Sequence, residues 1–137
     1  MANVNPSGRL PRILLVEPDG LVRGTVASVC RDLGLADVVQ AVNCELVPKA
    51  LADESLNACI LSLTDCDGAL ELLDRLRQGE FACPTDMPVA LTAAGIDAAT
   101  AARLKPLRIR RLLLKPFKIR DLVTTVEALV AVTTVPG

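Results

Sequence analysis

The chain has 137 residues, 51% of them hydrophobic but only 1% aromatic, and a formal net charge of −1. That length suits one domain with a proper core, which must be packed from Leu, Val, Ile and Ala. With no His, five cysteines and no CxxC pair, the composition argues against imidazole catalysis, Cys/His zinc sites and a disulfide framework. It reads the cysteines as reduced, packed hydrophobes. No apolar run reaches membrane-spanning length and the start lacks a signal-peptide layout, so a cytoplasmic protein without membrane contact is expected.

Residues 1–10, with Pro6 and Gly8, read as a flexible N-terminal arm ahead of one domain over 11–132, and 133–137 as a tail. Arg12–Val16 is a short buried strand, broken by Glu17-Pro18-Asp19-Gly20. Asp19 can cap a helix from about Gly20 to Leu33, ended by Gly34, with Leu21, Val22, Thr25, Val26, Val29 and Leu33 on its inner side. Asp37–Ala41 is a second strand. Asn43 caps a short helix to about Asp53, which Pro48 either kinks or starts late.

Ala58-Cys-Ile-Leu-Ser62 is an unbroken small and apolar run, the pattern of a central parallel strand buried on both faces. Asp65 and Asp67 follow in a loop, where they solvate the chain and cap the next helix. That helix, Leu-rich, starts near Gly68 and runs to Gln78. Pro88–Thr92 is the fourth strand, Asp97 caps an Ala-rich helix stopped by Pro106, and Arg110–Leu114 is the fifth strand. The last helix, from Ile119 to about Val132, turns Leu122, Val126, Leu129 and Val130 inward. Five strands alternating with five helices predict an α/β fold with a doubly wound five-stranded parallel sheet. In such a sheet sites form at the carboxyl ends of the strands, which places Glu17, Pro18, Ser62, Thr92 and Lys115 at one end.

With Ile13-Leu-Leu-Val-Glu-Pro-Asp, Asp67-Gly-Ala-Leu-Glu-Leu-Leu and Leu114-Lys-Pro-Phe in order, the chain resembles the CheY-like receiver domains of two-component response regulators from about Arg12 to Val130. The resemblance implies a flavodoxin-like (βα)5 fold with strand order 2-1-3-4-5 and a cis Lys115–Pro116 bond. It also implies an acidic pair holding Mg²⁺ after the first strand, a phospho-acceptor Asp ending the third, and a Thr and a Lys contacting the phosphoryl group. Thr92 and Lys115 match. Glu17 stands for one acidic residue, but Pro18 replaces the other, and Ser62 stands where the acceptor Asp is expected. An unactivated Ser is a weak nucleophile and needs a base. The aromatic switch position of the fifth strand falls on Leu112. Lys115 is left either to pair with Glu17 or to bind an anion.

Charge is lopsided: seven basic and fourteen acidic side chains up to residue 102, then eight basic and two acidic from Arg103 on. Arg103, Lys105, Arg108, Arg110, Arg111 and Lys118 map to the fourth helix, fifth strand and the turn beyond, a face that receivers commonly use for dimers and partners. The run is a solvated edge, a dock for an acidic protein, or a phosphate site. The overall reading is a pseudo-receiver with no enzyme activity and with Mg²⁺ binding lost or weak. It would act as an adaptor toward a histidine kinase, phosphotransfer protein or other regulator, or as a homodimer, without nucleic acid. Two alternatives stay open: a working phospho-receiver using Asp65, and a cyclic-dinucleotide effector using Arg108, Arg110 and Arg111.

Overall fold

A computed structural model describes residues 10–52, 55–63 and 68–131. The strands are β1 (Arg12–Val16), β2 (Asp37–Ala41), β3 (Ala58–Ser62), β4 (Val89–Ala93) and β5 (Arg111–Leu114). The helices are α1 (Gly20–Asp32), α2 (Val47–Ala50), α3 (Ala69–Arg77), α4 (Ala98–Leu104) and α5 (Ile119–Val130). All strands pair in parallel, in the order β2-β1-β3-β4-β5. The fold class and strand order are as expected from the sequence.

Every residue of β3 and β4 is buried, because helices cover both faces of the central strands. Alternate residues therefore enter two separate cores. Leu14, Val16, Cys59, Leu61, Val89 and Leu91 meet Leu72, Leu73 and Leu76 of α3. On the opposite face Ile13, Leu15, Ile60, Ala90 and Leu113 meet Val26 of α1 and Leu122, Val126 and Leu129 of α5. Each such Leu or Ile contributes about 1.5–3 kcal/mol on burial, without aromatic help. Truncation of the fully buried Leu73 to Ala would cost about 2–5 kcal/mol, because the flanking aliphatic side chains cannot close the cavity.

Several local expectations shift. The inner stripe of α1 is Val22, Val26, Val29 and Cys30; Leu21 is 81% exposed and Leu33 55%. Leu21 lies about 100° off that stripe, and Leu33 is the cap residue, with Leu35 and Ala36 taking the inward place instead. Asn43 caps a 3-10 turn over Cys44–Leu46, and α2 starts late, with Pro48 in its first turn where no N–H is required. Strand β4 begins one residue later than expected, at Val89, and β5 at Arg111, although the Arg110 N–H still bonds Val89 O. Pro106 sits in a 3-10 turn, Lys105–Leu107, following α4.

Helix α5 ends at Val130 with the expected inward residues and also Thr125, whose hydroxyl donates to Asp121 O. The arm, apart from Leu10, and the tail lie outside the described residues, as do Asp53, Asp65, Asp67 and Val132. The cysteine expectation needs correction. Cys30, Cys59 and Cys83 are free and buried, but Cys44 is disulfide-bonded. Linear spacing hides such a bond, because which cysteines meet in space is set by the fold and not by their order along the chain. Among the described residues no helix is long and apolar enough to cross a membrane.

Candidate functional site

The carboxyl ends of β1, β3, β4 and β5 gather the expected residues. Ser62 is 0% exposed, Glu17 2% and Thr92 5%. Ser62 and Thr92 are register partners across β3 and β4, so their side chains share a face of the sheet. By alternation from Ile60 and Ala90, that is the face covered by α1 and α5. Lys115 follows β5, anchored by its N–H to Ala93 O at 2.8 Å, and the Lys115–Pro116 bond is cis.

Lys115 is the centre of the site. Its Nζ lies 2.7 Å from Glu17 Oε1 and donates to Ser62 Oγ at 3.1 Å. Glu17 uses its other oxygen to accept from the Asp19 N–H at 3.0 Å. Asp19 in turn caps α1, accepting from the Leu21 and Val22 N–H groups. Arg23 closes the turn by donating to Glu17 O at 2.9 Å and Pro18 O at 3.5 Å. Sequence reading missed Arg23, since nothing in the order of residues shows an arginine of α1 turning back onto its own entry loop. The site thus folds as a self-satisfied network: carboxylate, ammonium, hydroxyl and backbone each have a partner.

That arrangement limits the chemistry. As an ammonium paired with Glu17, Lys115 donates to the Ser62 hydroxyl and has no lone pair with which to take its proton. A hard divalent cation needs several oxygen ligands. Among the described residues the pocket offers one carboxylate, both of whose oxygens are engaged, beside a proline and a hydroxyl. These residues do not fit a Mg²⁺ site of the kind the resemblance implies. Beside the network an open cleft of about 520 Å³, lined by Leu21, Val22, Thr25, Ala94, Lys115, Pro116 and Phe117, leads to the flank of Lys115.

The basic residues do not converge. The Arg108 Nη2 donates to Thr85 O at 3.4 Å, while the Arg110 Nη1 donates to Ala128 O at the end of α5, at 3.1 Å. The two guanidinium groups thus serve separate connections, and both residues precede β5, at the sheet end opposite Ser62 and Lys115. Arg103 pairs with Asp74 at 3.8 Å, both about half exposed. Lys105, Arg111 and Lys118 are exposed. Leu112, the expected switch position, is 44% exposed and Leu114 53%, while Leu113 between them is buried. The edge strand β5 therefore presents two leucines flanked by cations.

Sequence reading also missed Arg77. Its guanidinium donates to the carbonyls of Leu107, Thr85 and Met87, each at 2.8 Å, and of Arg108 at 3.2 Å. This clamp ties α3 to the segments entering β4 and β5. It also holds Arg108 at a left-handed φ of 57°, a conformation costing about 1 kcal/mol for a non-glycine residue.

No family model matches the chain, and no curated protein matches it in sequence. Solved structures do match. A signal receiver domain of a two-component histidine kinase from Clostridium thermocellum has 15% identity and a TM-score of 0.76, covering 89% of this chain and 98% of that one. A response regulator receiver protein from Pseudoalteromonas atlantica has 22% identity and a TM-score of 0.74 over 88% and 98%. The signal receiver domain of an HD domain-containing protein from Pseudomonas fluorescens has 19% identity and a TM-score of 0.77 over 90% and 96%. With the parallel sheet and its strand order, these likenesses define the fold as that of response regulator receiver domains. Fold does not carry function with it.

Proposed function

We propose that this chain is a pseudo-receiver: a receiver fold that neither accepts a phosphoryl group nor catalyses a reaction, and that acts as an adaptor in signal transduction. The observation that carries the reading is the Lys115 network. Ser62 is fully buried where the resemblance expects a carboxylate, and it is held by a cation already paired with Glu17. With Pro18 and, among the described residues, no fitting set of metal ligands, the pocket has neither the nucleophile nor the cation site that phosphoryl transfer needs. Its output is contact with an acidic protein, a kinase, phosphotransfer protein or other regulator, through α4, β5 and α5. Leu112 and Leu114 supply the apolar centre there and Arg111, Lys105 and Lys118 the charged rim. The divergence of Arg108 and Arg110 removes the support for a cyclic-dinucleotide site.

Intact-mass analysis after incubation with Mg²⁺ and acetyl phosphate tests the reading. No adduct is expected on the natural protein, and Ser62→Asp tests whether a carboxylate alone restores acceptance. An adduct that survives Ser62→Ala and disappears with Asp65→Asn would overturn the proposal in favour of a relocated acceptor.

A further inference from the structure

Strand β5 is an outer strand of the sheet and pairs only with β4. An edge strand carries a row of backbone N–H and C=O groups on its free side, open to another strand. The opposite edge, β2, half-buries Val38 and Val39 and exposes the polar Asp37 and Gln40. Strand β5 does the reverse and leaves Leu112 and Leu114 44% and 53% exposed.

The two faces of this edge differ in chemistry. Successive side chains of a strand point to opposite faces. Leu113 enters the core beneath α1 and α5, and Arg111 shares its side by alternation. Arg111 and the exposed Lys118, which stands at the N-cap of α5, line a groove of about 410 Å³ running between β5 and α5. Among the described residues lining that groove, Asp121 is the acidic one, in the first turn of α5. Leu112 and Leu114 belong to the other face. The free edge is thus cationic toward α5 and apolar on its far side.

The inference rests on the proposed function and names what the α4–β5–α5 face takes. We propose that the partner docks as an extended segment of alternating apolar and acidic residues, laid along β5 as a sixth strand of the sheet. A strand added to the edge sends alternate side chains to the two faces. One row covers Leu112 and Leu114, and the other brings carboxylates to Arg111 and Lys118. Main-chain hydrogen bonds hold any extended segment; the alternation selects this kind. A second copy of the chain is the wrong occupant. Residues 103–137 hold eight basic and two acidic side chains, and edge-to-edge pairing of two copies brings like charges together. An acidic helix meets the cations but leaves the backbone row of β5 unpaired.

The test titrates the full chain with the peptide acetyl-Glu-Val-Glu-Val-Glu-Val-Glu-amide, followed by calorimetry and amide NMR. Binding is expected, with protection of β5 amides, and should weaken by about tenfold or more in Arg111→Glu with Lys118→Glu. Leu112→Ser with Leu114→Ser should weaken it as well, with Tm recorded to show that each variant is folded. A blockwise isomer of the same composition should bind about tenfold less, and the Lys-for-Glu peptide not at all. N-methylation supplies the signature of a strand: methylating one alternate set of peptide amides should abolish binding and methylating the other set should spare it. Equal binding of the two isomers, equal effects of the two methylated sets, or no binding of the alternating peptide would each overturn the proposal. An acidic helical peptide that binds in its place, and is lost with Leu112→Ser and Leu114→Ser, would overturn strand addition while leaving the adaptor reading intact. The adaptor reading itself falls only to the phosphoryl adduct described above.

Discussion

The two ends of the sheet each hold a cation away from bulk water, and they hold it differently. At the carboxyl end Lys115 is matched by a charge, Glu17, and a hydroxyl, Ser62. At the amino end Arg77 is matched by four neutral carbonyls. Burial, then the nearby Arg108 charge, lower the Arg77 pKa from its ordinary value, yet a guanidinium keeps its proton and its fixed fork of donors. A cage of carbonyls suits a structural rivet, because backbone oxygens are present whatever the side chains become. An ammonium–carboxylate–hydroxyl cluster depends on three particular side chains at three strand ends. That cost is maintained where a fold places its chemistry. The contrast is between a network that depends on particular side chains at Lys115 and a backbone-anchored clamp at Arg77, and the proposed function rests on the first.

The sharpest way to break the comparison is at Arg77. Arg77→Met leaves four carbonyls without their donor and should cost about 3 kcal/mol in urea denaturation, with Arg77→Lys recovering only part. Equal stability of the Lys variant would mean that the fork geometry is not what matters. Glu17→Gln should cost less, about 2 kcal/mol, because Lys115 retains some solvent contact. Adding Lys115→Met should return most of that loss, since no buried cation is then left unmatched; a further loss in the double variant would contradict the pairing.

Smaller effects sharpen the picture. Leu112→Ser with Leu114→Ser should leave folding within about 0.5 kcal/mol while weakening partner capture, as suits exposed positions on an edge strand. Cys59, at about 12, should resist iodoacetamide at pH 8 in the folded protein and react once it is unfolded. The smallest effect is at Asp97, whose carboxylate accepts from the Thr100 N–H at 2.7 Å. The Thr100 backbone and side chain hold its pKa below the ordinary value. A depressed folded-state pKa gives stability that is present above the unfolded value and lost as pH falls through the folded one. Asp97→Asn keeps the cap but should flatten the acid limb of stability below about pH 4, seen by denaturation across that range.

Much of this was legible in the residues alone. The run from Ala58 to Ser62, the caps at Asp19 and Asp97, and the apolar periods of α3 and α5 are local signals, set by side-chain alternation and by unsatisfied helix N–H groups. They sufficed for five strands, five helices and the grouping of Glu17, Ser62, Thr92 and Lys115 at one end. What Lys115 binds there was not legible, because pairing with Glu17 and binding an anion were both open; the fold pairs it with Glu17 and adds Ser62. Arg108, Arg110 and Arg111 are neighbours in sequence, yet a left-handed residue and a strand entry direct Arg108 and Arg110 to different carbonyls. The Arg77 clamp joins segments up to 31 residues apart, a pairing that no local pattern announces. Sequence determines the elements and their ends because those depend on neighbours along the chain; tertiary structure decides partners because those depend on neighbours in space.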